Sequence, residues 1–407
     1  MIQMANHFYQ FLLFLFIQIF TFSFSFGQEW VQLNDPPFQK HHSNGFGIDG
    51  KAYIIEGVYQ NDGPNQVSNE VWMYTAETDT WIQLEDFPGE ARAIAIGDDW
   101  NGKYYYGFGD GSDERLNDLW EFDPNTETFT QLPSCPCQGR THPAFIAHND
   151  KIFMGSGSTG NGDLKDWWVY DMTTQIWTQK PDIPGDVRHH PFFFSIDDYV
   201  YVGGGHAFNW LRYDPVTEEW SPISNYPEGR VAGTQFQHNG YGYVLAGDDA
   251  YHDHVPVWQT FIRYNQQTND WEELPPLPNG SRWAPSSFII DDEVYYFNGL
   301  DFDDLSDASM WKFDLMALDN PTSNVEIEQE ESIQIFPNPT STFVEVQLPN
   351  ADEWNITVLN PLGQTISTSR NNGDTFTFDM SKMAKGIYLF SFRRDGGATI
   401  MKKVQKN

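Results

Sequence analysis

Between residues 50 and 300, short runs of alternating aromatic and β-branched residues recur, each closed by glycine. They are YIIEG (53–57), YYYGFG (104–109), IFMGSG (152–157), VYVGGG (200–205), YVLAG (243–247) and VYYFNG (294–299). Side chains that alternate with period two and stop at glycine predict strands, and no long helical period interrupts them. A second pattern is locked to the first. Trp81, Phe129, Trp177, Trp220 and Trp271 recur every 43 to 51 residues. Nine residues before them stand Trp72, Trp120, Trp168, Leu211 and Ile262, and seven before stand Tyr74, Phe122, Tyr170, Tyr213 and Tyr264. A repeat of this length built from strands alone predicts propeller blades.

Six glycine-stopped strands but five closing aromatics leave one blade a strand short. The sixth unit reaches Trp311 and Phe313 and then runs into an acidic stretch. Glu29-Trp30-Val31-Gln32-Leu33-Asn34-Asp35-Pro36 has the form of a closing strand with no blade before it. A ring must cover its edge strands, so pairing the first strand of the chain with the last blade is the expected closure. Glycines before an aromatic nine residues ahead of a Trp resemble the kelch repeat. The expected fold is all-β: a six-bladed kelch β-propeller closed by its N-terminal strand, with a small β-sandwich after it.

The ends of the chain differ from its middle. Phe11 to Phe26 is an apolar run followed by Gly27 and polar Gln28-Glu29. It is shorter than the roughly 20 residues a membrane helix needs, so residues 1–27 are expected to be a signal peptide rather than a permanent span. Residues 28–318 form the expected propeller. Residues 319–332 hold five acids and no base and read as a solvated linker. Residues 333–407 open with Phe336-Pro337-Asn338-Pro339, alternate through FVEVQL (343–348), pass Gly363-Gln364 and Gly386-Ile387-Tyr388, and end Lys402-Lys403-Val404-Gln405-Lys406. That pattern predicts an antiparallel sandwich with proline and glycine turns. It resembles the C-terminal sorting domain of type IX secretion. The resemblance implies a Bacteroidetes-type cell, passage through the periplasm, contact of residues 333–407 with the type IX machinery, and release or attachment at the outer surface.

Charge narrows the partners. The chain carries 23 Lys+Arg against 57 Asp+Glu, a net charge of −34, which excludes nucleic acid as a natural partner. Its two cysteines exclude a disulfide-built scaffold and a multi-cysteine zinc module. Cys135-Pro136-Cys137 is read as a loop disulfide or two idle thiols.

The candidate chemistry sits at one phase of the repeat. Ten residues before the first turn of each blade stands a cation: Lys40, Arg92, Arg140, Arg188, Arg230 and Arg282. This phase starts the innermost strand, so the six are expected either to ring a channel mouth as an anion site or to tie blades together through local acids. Two residues later, His42, His142 and His190 share a phase that Ile94, Ala232 and Ala284 fill in the other blades. They are read as ligand-contacting or channel-wall histidines, with no metal and no cofactor assigned. His252 and His254, and the acidic loops at 110–114 and 301–304, carry weaker metal signals. Nucleophile-elbow and zinc-helix motifs are absent, and no residue is assigned a catalytic role.

The expected function is an exported binding propeller for an acidic glycan or a cell-surface protein. The rival is an enzyme similar to the six-bladed kelch mutarotases that interconvert anomers of N-acetylneuraminate, with Glu90, Asp186 and Glu228 as candidate acids. A structural or adhesive surface protein is the third reading. Galactose oxidase is a poorer match, since both cysteines lie in one turn.

Overall fold

A computed structural model describes residues 30–59, 66–226, 229–249, 260–301, 307–319, 333–348, 353–359, 365–393 and 399–406. The expected signal segment, most of the expected linker, and His252 and His254 lie outside the described residues. The chain divides into two units after Asp319.

The first unit carries six antiparallel blade sheets, five of four strands and one, in blade one, extended to five by Lys40–His41. Blade one contains Asn44–Ile48, Lys51–Tyr59, Gln66–Thr75 and Thr80–Gln83. Blade two contains Ile96–Trp100, Lys103–Gly107, Leu119–Asp123 and Thr128–Leu132. Blade three runs through Ala144–His148, Lys151–Gly155, Trp167–Asp171 and Ile176–Lys180. Blade four holds Phe192–Ile196, Tyr199–Gly203, Trp210–Asp214 and Glu219–Pro222. Blade five holds Thr234–His238, Tyr241–Leu245, Phe261–Asn265 and Asp270–Glu273. Blade six takes Ser286–Ile290, Glu293–Phe297 and Trp311–Asp314 from the end of the propeller, and Val31–Gln32 from its start. Val31 pairs with Lys312 and Gln32 with Trp311, so the ring closes as the sequence predicts. The first strand of each blade contacts the first strand of the next, around to blade one.

The sequence markers have a physical basis. The seven-residue spacing is a cross-strand pair between the third and fourth strands: Tyr74 faces Trp81, Phe122 faces Phe129, Tyr170 faces Trp177, Tyr213 faces Trp220 and Tyr264 faces Trp271. Their ring centroids lie 4.6 to 5.2 Å apart, the range in which aromatic pairs add to plain area burial. Several markers also reach the blade before: the Trp177 indole donates to the Pro133 carbonyl at 2.8 Å, and that of Trp271 to the Ser224 carbonyl at 2.9 Å. Two-residue hairpins join the first two strands. Asp49-Gly50, Asn101-Gly102 and Asn239-Gly240 have positive φ at both positions, the geometry that makes Asn-Gly and Asp-Gly the preferred hairpin turns.

The glycine stops serve the seams between blades. Gly157 has φ of 89°, and a Cβ there would lie 2.6 Å from the Thr141 carbonyl oxygen. Its N–H donates to the Arg188 carbonyl of the next blade at 2.9 Å. Gly109 to Arg140, Gly205 to Arg230, Gly247 to Arg282 and Gly299 to Lys40 repeat that bond at 2.9 to 3.2 Å. A backbone that must come this close to its neighbour leaves no room for a side chain.

In the second unit, Gln334–Phe336, Phe343–Gln347 and Thr375–Asp379 form one sheet. Thr365–Asn371, Trp354–Leu359, Gly386–Arg393 and Thr399–Lys406 form the other. Val344, Val346, Trp354, Ile356, Phe390 and Phe392 fill the core between them. The opening motif is held to the last strand: Asn338 Nδ2 donates to the Lys403 carbonyl at 2.7 Å, and its Oδ1 accepts the Gln405 N–H at 2.8 Å.

Candidate functional site

The six phase-matched cations are brought to equivalent places, but their side chains do not line a mouth. Lys40, Arg92, Arg140, Arg188, Arg230 and Arg282 are all 3% exposed or less. Each turns back into its own blade. Arg92 makes a two-pronged ion pair with Asp118 at 2.5 and 2.8 Å, and Arg140 does the same with Asp166 at 2.5 and 2.9 Å. Lys40 reaches Glu70 at 2.8 Å and the Ser68 hydroxyl at 3.0 Å. Arg282 meets Asp307 at 2.9 Å and the Ser309 hydroxyl at 2.5 Å. Arg188 is held by the Asn209 side-chain oxygen at 2.9 Å, and Arg230 lies over the Tyr226 ring at 5.4 Å. The exposed arginine ring expected at the mouth is therefore corrected to a buried belt of ion pairs and hydrogen bonds within the blades. Burying a guanidinium is tolerable only with such partners.

Electrostatics follows this packing. Burial works against the Asp166 carboxylate, yet the hydrogen bonds from Arg140 and Trp168 outweigh it and hold Asp166 below the usual range. Arg188, with an amide in place of a carboxylate, is pulled down to about 10 by burial, against the opposing charge of Asp186. Glu56, buried 3.7 Å from Arg92, is pushed well above the normal glutamate range by desolvation.

The residues two positions further on, His42, Ile94, His142, His190, Ala232 and Ala284, all adopt left-handed backbone, with φ between 48° and 61°, and all but Ile94 line the axis. The repeat thus turns the chain inward at one level in every blade, whatever side chain it carries. An axial cavity of about 410 Å³ opens there, and all six blades contribute to its wall. His42, His142 and His190 line it, together with Asn44, Thr234 and Gln235. None of the six cations does.

The histidines converge. His42 Nε2 and His142 Nε2 lie 3.3 Å apart, and the His142 and His190 ring centroids 3.2 Å apart. One nitrogen from each of the three falls within 4.8 Å of the others. His189, His190 and His206 form a second such group, in which His189 Nδ1 meets Asp163 Oδ2 at 2.8 Å and its Nε2 meets His206 Nε2 at 3.1 Å. His41 stands behind His42, Nδ1 to Nδ1 at 2.7 Å, and burial lowers its imidazole to about 4. The roles of His41 and Asp163 were missed in the sequence. His41 lies one residue off the repeat phase, and Asp163 comes from the variable loop after Gly157.

Asp98 and Asp99, on the first strand of blade two, also line the cavity. Protein encircling the channel raises both carboxyls, Asp99 to about 6, and the Asp99 charge adds to the rise at Asp98. Asp99 is itself exposed, and screening by solvent works against that rise. Asp98 also accepts the Ala147 N–H at 2.9 Å. Cys135 and Cys137 are joined as a disulfide in the turn entering blade three, away from the cavity wall.

Three comparisons place these units among known proteins. Residues 334–407 match the secretion system C-terminal sorting domain family. The chain is 30% identical over 101 residues to Kelch-like protein terF of Aspergillus terreus, covering 22% of this chain and 20% of that one. It spans about a fifth of that relative's length. The structure titled "Structure of YjhT" superposes with a TM-score of 0.55 at 16% identity, covering 68% of this chain and 96% of the other. The first unit is a kelch-type propeller. The second is a type IX sorting tail, which marks proteins exported to the cell surface or beyond and implies contact with the secretion machinery. Among the described residues, no helix is long and apolar enough to cross a membrane.

Proposed function

We propose that this exported kelch propeller is a binding module that receives a sugar-sized polar ligand, a glycan unit or the polar tip of a protein partner, in its axial cavity. One observation carries the reading. Residues of all six blades surround about 410 Å³, and the polar residues Asn44, Thr234, Gln235, Gln237 and Ser287 share that lining with the apolar residues Phe46 and Phe288. Apolar walls with a few convergent polar groups are the usual form of a small-molecule site. A preference for acidic ligands loses its carrier, because Lys40, Arg92, Arg140 and Arg282 already have carboxylate partners. An acidic body also repels anions, so a neutral glycan fits the wall better than an acidic one.

Calorimetry of the full chain against neutral and acidic sugars tests this reading, with Gln235→Trp as a plugged cavity. Saturable binding of a neutral sugar, weakened at least tenfold by the plug with the unfolding temperature unchanged, is the expected result. Equal binding by the plugged protein, or no binding across the panel, overturns it.

Anomer exchange is the second reading, and the Asp163–His189 pair favours it. A carboxylate at 2.8 Å orients the imidazole as a general base beside the cavity mouth. Equal exchange rates by NMR with and without protein would end it.

A further inference from the structure

We propose that His42, His142 and His190 form a binding site for a divalent transition metal of the Zn²⁺ class at the mouth of the axial cavity. The inference is independent of the identity of any sugar ligand.

The geometry is the first ground. Two imidazole nitrogens bound to one tetrahedral Zn²⁺, each about 2.0–2.1 Å from the metal, lie about 3.3 Å apart. His42 Nε2 and His142 Nε2 stand at 3.3 Å, and a nitrogen of His190 lies within 4.8 Å of both. The His142 and His190 rings, with centroids now 3.2 Å apart, must open to about 5 Å through a turn of the His190 side chain for all three nitrogens to meet one tetrahedral ion. The three ligands come from blades one, three and four, at one phase and in one backbone conformation, with φ of 54°, 50° and 53°. Each stands in a short bend two residues ahead of its blade's first strand, and the strands at Asn44, Ala144 and Phe192 fix where those bends meet.

The support behind the ligands is the second ground. Metal-binding histidines are oriented through their other ring nitrogen. His42 presents its Nδ1 to His41 Nδ1 at 2.7 Å, which leaves Nε2 aimed at His142. Beside His190, Asp163 holds His189 at 2.8 Å in a carboxylate–imidazole arrangement of its own.

Chemistry is the third ground. Three imidazoles and no thiolate favour Zn²⁺, Ni²⁺ or Cu²⁺ over the hard ions Ca²⁺ and Mg²⁺. Three protein ligands leave a fourth position, the form of metal sites that accept water or a ligand oxygen, and here that position faces the cavity. The net charge of −34 also concentrates cations near the protein. Catalysis is not part of the proposal.

The test is a titration of chelator-treated full-length protein with Co²⁺ alone, read by its visible absorption, and a competition with Zn²⁺. The expected result is one equivalent bound per chain, with the bands of four- or five-coordinate Co²⁺, displaced by Zn²⁺. His142→Asn should weaken binding at least tenfold, since Asn also tolerates left-handed backbone and the metal-free variant should keep the wild-type far-UV spectrum. His206→Asn probes the neighbouring group and should leave the Co²⁺ spectrum and affinity unchanged. Wild-type affinity in His142→Asn, or no Co²⁺ bands at one equivalent, overturns the site.

Discussion

The indole of Trp30 packs on the ring of Phe313 with centroids 5.2 Å apart, and so joins the start of the propeller to its last strand from the end. Trp30 occupies in blade six the place that Trp81 and Trp177 hold in theirs. It also donates to the Pro275 carbonyl of blade five at 3.2 Å, as Trp177 does to blade two. Trp30→Ala should therefore destabilise the whole propeller by about 3 kcal/mol, the lower end for a large aromatic because Trp30 is half-buried. Urea unfolding measures this. Ile82→Ala, at an exposed site of a fourth strand, should cost about 0.5 kcal/mol or less. Equal midpoints for Trp30→Ala and wild type would show that the closing strand adds nothing to the ring.

The Arg140–Asp166 pair separates a structural belt from a ligand site. Arg140→Ala leaves a partly buried carboxylate without its partner and should cost about 3–5 kcal/mol. The double change Arg140→Met with Asp166→Leu should recover much of that loss, because it removes both charges together. Ligand affinity of whichever variants remain folded should match wild type, with no change in salt dependence. A variant that keeps its stability but loses an anionic ligand would return the arginines to the cavity and undo the assignment.

Much of the fold was legible because strands announce themselves twice, once by alternation and once by the Tyr–Trp spacing that is a cross-strand contact. Closure by Trp30-Val31-Gln32 was legible for the same reason: a lone fourth strand has only one unpaired edge to meet. The direction of the arginine side chains was not. Phase gives a residue its place on the repeat, whereas the partners of Lys40, Arg92, Arg140, Arg188 and Arg282 lie 21 to 30 residues downstream and meet them only after the sheet forms. A signal did exist. Glu70, Asp118, Asp166, Asn209 and Ser309 each stand two residues before a marker position at Trp72, Trp120, Trp168, Leu211 or Trp311. The indoles of Trp120 and Trp168 bond the same carboxylates that hold the arginines, each at 2.7 Å. The histidine phase was visible too, but its convergence depended on backbone turning inward at φ near +50°, which no residue type at those positions foretells.

Asp99 gives the cavity a pH signature. Its carboxyl is raised to about 6 in the folded protein, against about 4 in an unfolded chain. Between those values the folded state holds a proton that the unfolded state has released, so this group's contribution to stability is present at the acidic end and lost as pH rises to about 6. His41 runs the other way. Lowered to about 4 from an unfolded value near 6.5, it removes stability as pH falls through the same window. The two effects oppose one another in wild type, so the total curve alone does not resolve them. Asp99→Asn removes the first, together with the part of the Asp98 rise that the Asp99 charge supplies, which acts in the same direction, and leaves His41. The melting temperature of the variant relative to wild type should stay constant near pH 4, climb between pH 4 and 6, and level off above. The exposure of Asp99 limits the climb to the order of 2 °C. Calorimetric melts at half-unit steps from pH 4 to 8 resolve that difference. A difference that does not vary with pH would mean that Asp99 titrates as an ordinary surface carboxylate and that the channel does not raise it.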